Sequence, residues 1–153
     1  MGVPSPNVGV TMLVVDLARL LRRRLDAELT RVDTGLTAGE ARTLFYVWRN
    51  PGERQAMLAD RMYVEPMTLV GYLDTLEKAG LIRRCPDPRD KRAKLIELLP
   101  KADPLLERIN AALQSVRSKA LEDVAPKDRK TLEALLQTMK DSLLQEDSKG
   151  NHK

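Results

Sequence analysis

Between Arg83 and Lys94 six basic residues (Arg83, Arg84, Arg89, Lys91, Arg92 and Lys94) stand against two acids, Asp87 and Asp90. Cations at that density, on a short segment punctuated by Pro and Asp, suit phosphate contact and not bond-making chemistry. At a hairpin tip, Arg89, Lys91 and Arg92 can place a guanidinium in a narrow minor groove, where negative potential is enhanced. Asp90 is spaced to orient Arg92 through a charge-assisted pair. Upstream, Pro66, Met67, Thr68, Gly71 and Thr75 are the outward candidates of a helical segment. Thr68 can bond a phosphate or a base edge, Met67 can pack on a thymine methyl, and Gly71 permits close backbone approach. Gln55, on a short preceding helix, completes the set of candidate duplex-contacting residues.

Other chemistry finds no residues to carry it. The chain has no Gly-rich phosphate loop, no His-based triad and no metal-ligand spacing, and its one histidine, His152, stands apart near the end. No enzymatic activity, catalytic residue, metal or cofactor is expected. The single Cys85 excludes an intramolecular disulfide and fits a reducing compartment. Arg83 and Arg84 beside it make a thiol switch an alternative reading, because neighbouring cations lower a thiol pKa. Arg22, Arg23 and Arg24 are consecutive, so they fan around a helix without forming a membrane-binding face.

The elements that must position these residues follow from periodicity. At 153 residues the chain suits one domain, or one domain with an appended oligomerisation element. Its five aromatics all fall between Phe45 and Tyr72, so helices elsewhere must pack through aliphatic seams. That clustering also argues against single-strand binding, which uses a track of stacking aromatics. Residues 1–8 are Pro-rich and expected to be disordered. From Val10 to Val32 a helical period runs through Val14, Leu17, Leu21, Leu25 and Leu29, ending at Thr34-Gly35. Thr37-x-x-Glu40 is a capping box opening a helix with Ala41, Leu44, Phe45 and Trp48 on one face.

A short helix over 55–62 precedes a second over 66–79, with Pro66 at its start and Gly80 as terminator. Segments 81–85 and 94–99 read as strands around a loop at 86–93. Asp103-Pro104 opens a helix to about Val124, and a last helix covers about 127–145. The tail 146–153 is polar and expected to be disordered. The fold class is mainly α with a small β-hairpin: a winged helix-turn-helix over 36–100, flanked by dimerisation helices at 9–35 and 101–145. The aliphatic faces of those flanking helices exceed what a small central module can cover, which points to a homodimer.

Several strings in this module resemble the MarR (multiple antibiotic resistance regulator) family. They are Leu58-Ala59, Val64-x-Pro66-x-Thr68, Leu73-Asp74-x-Leu76-Glu77-x-x-Gly80-Leu81 and Asp87-Pro88-x-Asp90-x-Arg92. The resemblance covers about 36–100 in motif detail and the remainder in helix order. It implies a triangular homodimer, a pseudo-palindromic duplex operator, and release by a small, commonly phenolic, effector. Four features depart from it: Tyr63 replaces a tight-turn Gly, Gly71 and Thr75 stand where basic residues are usual, the Ser or Thr usually capping the first module helix is replaced around Glu53-Arg54, and Leu99 replaces a Thr. From Glu65 to Ala79 there are three acids and one base, which repels phosphate unless the acids pair or turn inward.

The expectation is a cytoplasmic DNA-binding transcriptional regulator, a repressor responsive to ligand, with no membrane span. The acidity of helix 66–79 keeps one alternative open: a winged-helix dimer acting through a protein partner, with weak or no specific DNA binding.

Overall fold

A computed structural model of the protein describes residues 9–150. Six helices and one hairpin follow in order: α1 (Gly9–Arg31), α2 (Ala38–Arg49), α3 (Gln55–Met62), α4 (Pro66–Lys78), β1 (Ile82–Asp87), β2 (Asp90–Leu98), α5 (Asp103–Ala120) and α6 (Pro126–Gly150). The chain divides into two compact units, Met1–Val116 and Arg117–Lys153.

In the first unit every element sends aliphatic side chains to one core. Leu29 of α1, Leu44 of α2, Leu58 of α3, Leu73 of α4, Ile82 of β1, Ile96 of β2 and Ile109 of α5 are all within about 1% of full burial. Spacings of three and four residues line up Leu69, Leu73 and Leu76 on the inner face of α4. The capping box forms as expected: Glu40 N–H donates to Thr37 Oγ1 at 3.2 Å, and Thr37 N–H donates to Glu40 Oε2 at 2.9 Å. Asp26 of α1 and Arg42 of α2 form an ion pair that ties these helices together.

Helices α3 and α4 end in the same motif. Leu81 N–H donates to Leu76 O and Gly80 N–H to Glu77 O, with Gly80 at φ +72°. Val64 N–H donates to Ala59 O and Tyr63 N–H to Asp60 O, with Tyr63 at φ +52°. Both are Schellman closures, and each requires a left-handed residue.

The second unit contains the last turn of α5 and the whole of α6. Arg129 closes the connection between them, donating from Nε to Val124 O at 2.8 Å and from Nη2 to Leu121 O at 2.7 Å. Leu132, Leu135, Leu143 and Leu144 are exposed along α6.

Several expected boundaries need correction. The first helix stops at Arg31, short of Thr34-Gly35, and the fifth stops at Ala120, short of Val124. A 3-10 turn at Pro100–Ala102 leads into Asp103, so Asp103 is the first helical residue and not a free cap. The last helix continues to Gly150, because nothing between Glu146 and Lys149 breaks a helix. The disorder expected from 146 is therefore wrong up to Gly150, while the expectations for 1–8 and 151–153 lie outside the described residues. On α2 Val47 is buried and Trp48 is exposed, the reverse of the expected face at that turn.

Candidate nucleic-acid interface

The hairpin is longer than its sequence suggests. The strands pair from Ile82↔Leu98 to Asp87↔Asp90, leaving only Pro88 and Arg89 at the tip. A register shift between Pro86 and Asp87 accommodates the proline, which donates no ladder hydrogen bond. Cys85 accordingly lies inside β1, opposite Leu95, and does not close the strand.

One buried carboxylate holds that tip. Asp87 has no exposed surface. Its Oδ1 accepts the Arg89 backbone N–H at 2.9 Å, and its Oδ2 accepts Arg54 Nε at 2.7 Å. The Arg89 amide does most to hold the Asp87 carboxyl below the usual carboxylate range; burial opposes it, and the Arg54 and Arg89 side chains reinforce it. Arg54 also bridges Leu95, and Ile96 N–H donates to Glu53 O at 3.1 Å. The segment before α3 thus extends the hairpin along its second strand. Sequence reasoning missed Arg54 as the anchor of the wing, since its partner is 33 residues away.

Along the wing the arginines divide by partner. Arg83 Nε donates to Glu97 Oε2 at 2.6 Å, a cross-strand pair that raises the guanidinium pKa. Arg84 Nη2 donates to Asp74 Oδ1 at 2.5 Å and Glu77 Oε2 at 2.6 Å, and its own N–H donates to Glu77 Oε1 at 3.1 Å. Burial works against the Arg84 charge, but the Glu77 and Asp74 hydrogen bonds outweigh it and hold its pKa above the usual value. The Arg84 side-chain hydrogen bond, followed by its amide, lowers the Glu77 pKa in turn. Two of the three acids associated with α4 are therefore neutralised by β1. The third, Glu65, is the exposed N-cap of α4 and makes no side-chain capping bond.

By contrast, Lys91 and Arg92 are exposed, and their side chains have no ion-pair partner among the described residues. The expected Asp90–Arg92 side-chain pair does not form. Asp90 Oδ1 accepts the Arg92 backbone N–H at 3.1 Å instead, because a carboxylate two residues upstream reaches the amide most easily. The guanidinium has no ion-pair partner among the described residues.

On α4, Pro66, Met67, Thr68, Gly71 and Thr75 are all exposed. Met67 retains 77% of its surface. Apart from the helix's own backbone and the flanking residues, no atom lies within 4 Å of a Cβ built on Gly71, so the helix is open there. Thr75 Oγ1 turns back to donate to Gly71 O at 3.2 Å. Gln55 begins α3 and is half-buried. Tyr63, between the two helices, is 94% exposed, and sequence reasoning passed over it as a contact. The tyrosine at a position requiring positive φ was its only signal.

A helix-turn-helix followed by a cation-tipped hairpin defines a winged-helix DNA-binding protein. The MarR family model matches residues 36–94. The structure of transcriptional regulator PA3341 superposes with a TM-score of 0.76 at 32% identity, covering 88% of this chain and 98% of that one. A MarR-family transcriptional regulator from Silicibacter pomeroyi gives a TM-score of 0.73 at 25% identity, covering 86% and 90%. One from Rhodococcus sp. RHA1 gives 0.73 at 22% identity, covering 90% and 96%, a likeness of fold. The chain belongs to the MarR family of DNA-binding transcriptional regulators. No described helix is long and apolar enough to cross a membrane.

Proposed function

We propose that this regulator is a cytoplasmic homodimeric repressor that binds a pseudo-palindromic duplex operator and responds to a small ligand. In this reading α4 enters the major groove through Pro66, Met67, Thr68, Gly71 and Thr75, with Gln55 at the flank. Arg89, Lys91 and Arg92 follow the backbone into the adjacent minor groove, and Asp90 shapes their turn. The observation that carries it is the division of cations on the wing. Arg83, Arg84, Arg54 and, at 3.4 Å, the tip residue Arg89 are engaged by carboxylates, whereas Lys91 and Arg92, just past the tip on β2, are exposed with no ion-pair partner among the described residues.

Exposed apolar side chains support the dimer. Val10, Leu13, Val15 and Leu20 on α1, and Leu135 and Leu143 on α6, are each roughly half exposed or more. Apolar rows of that extent mark an association surface. The partner-protein alternative loses its main ground, because Arg84 takes up two of the acids that motivated it. For the effector, a groove of about 340 Å³ is lined by Trp48, Asp103, Leu106, Glu107 and Asn110. Two carboxylates there disfavour a phenolate, so this groove lends the phenolic expectation no support.

Selection from a random duplex library tests the reading. The expected product is an inverted repeat with half-site centres about 10 bp apart, bound by a species of twice the chain mass. Affinity should fall steeply with salt. No enrichment, together with no duplex binding at low salt, would overturn it.

A further inference from the structure

Tyr63 combines two unfavourable features. It is the one non-glycine residue with positive φ among the described residues, at φ 52° and ψ 44°. An L-residue with a Cβ is strained there, and the equivalent closure of α4 uses Gly80. Its ring is also 94% exposed, and its hydroxyl has no hydrogen-bond partner among the described residues. Strain and exposure held together at one position point to a role outside the fold.

The geometry specifies that role. Within the Schellman closure Val64 turns inward against the core while Tyr63 is directed to solvent. Tyr63 lies two residues before Glu65, the N-cap of α4, where the chain passes from α3 into the proposed groove helix. The one cation among the near sequence neighbours, Arg61, is engaged by Glu53, donating from Nε to its Oε1 at 2.7 Å; Glu65 is acidic, Pro66 has no amide proton to offer, and Met67 is apolar. A neutral donor on a long rigid side chain suits the phosphate beside the half-site.

We infer that Tyr63 is a DNA-positioning residue whose hydroxyl donates a hydrogen bond to a backbone phosphate oxygen at the helix-turn-helix turn, an inference that rests on the DNA-binding reading above. It substitutes for a cation. Because tyrosine carries no charge, its contact releases no counterion and adds nothing to the salt dependence of binding. A cationic contact at the wing does both.

The test uses the full-length protein and the duplex enriched by wild type, with affinity measured across a salt series. Tyr63→Phe should weaken binding roughly tenfold with an unchanged salt slope. Arg92→Ala should weaken binding and reduce that slope by about 1. Tyr63→Gly relieves the backbone, so its Tm should hold or rise while its affinity falls as in Tyr63→Phe. A merely structural tyrosine would move stability and affinity in the same direction. The inference is overturned if Tyr63→Phe binds as wild type, or if its salt slope falls with its affinity. Were Arg92→Ala still to behave as stated, the DNA-binding reading would survive that result. If wild type retains no duplex even at low salt, both fail.

Discussion

Arg54 Nε donates to Asp87 Oδ2 at 2.7 Å, joining the residue before α3 to the root of the wing tip. Because Asp87 also accepts the Arg89 amide, one buried carboxylate sets both the docking of the hairpin and the shape of its turn. Asp87→Asn retains the shape and removes the charge that both donors face. Hydrogen exchange of the Arg89–Arg92 amides should speed up, and operator affinity should fall, while α2 and α5 remain protected. Uniform loss of protection across the chain would show that Asp87 supports the whole core.

Acid should loosen this region first. The Asp87 and Glu77 carboxyls are both depressed by their hydrogen-bonded arginines and amides. A depressed carboxyl stabilises the fold fully above its unfolded value, near 3.9 for Asp and 4.3 for Glu, and that contribution is lost as pH falls through the lower folded value. Tm should therefore be level near neutrality and drop below about pH 4. The double variant Asp87→Asn, Glu77→Gln should start lower and show a flatter acid limb. An identical limb in both proteins would place the linkage elsewhere.

Arg84 is expected to matter for DNA without touching it. Arg84→Ala should cost roughly 1 kcal/mol of stability, since its partners are partly exposed. It should also weaken operator binding, because Asp74 and Glu77 are then bare carboxylates facing phosphate. Adding Asp74→Asn and Glu77→Gln should restore affinity though not stability. Failure of that rescue would mean Arg84 contacts the duplex itself.

Two glycines predict opposite outcomes for the same substitution. A Cβ on Gly39 would lie 2.5 Å from the Tyr72 ring, whereas one on Gly71 meets nothing within 4 Å. Gly71→Ala should stabilise α4 by about 1 kcal/mol in chemical denaturation, the helix-propensity gain. Gly39→Ala receives the same gain, but overpacking costs about 1–3 kcal/mol, so the net should be destabilising. In a Tyr72→Ala background Gly39→Ala should become stabilising. If Gly71→Ala also lowers operator affinity, the open face of α4 approaches the duplex closely at that point.

The proposed dimer is checked by charge. Leu13→Glu with Leu20→Glu on α1 should yield a folded chain of single mass in light scattering, with operator affinity lost. Retention of the double mass would exclude that face of α1 from the interface.

Local rules made much of this molecule legible from its residues alone. Leucine spacing marked the inner face of α4, Thr37 and Glu40 marked the start of α2, and Gly80 marked a helix end. Each depends on side chains and backbone within about one helical turn, a separation the sequence states directly. Helix boundaries were less legible, since the ends of α1, α5 and α6 moved by several residues where no strong breaker stood. What only the tertiary structure decided was which charges are spent. Arg84 with Asp74 and Glu77, Arg54 with Asp87, and Arg83 with Glu97 are pairs made by packing a hairpin against helices. A list of basic residues treats all these arginines alike with Arg92. Coulomb attraction acts through space at a few ångströms, so only the fold could separate the cations that hold the wing from Lys91 and Arg92, offered on β2 beside its tip.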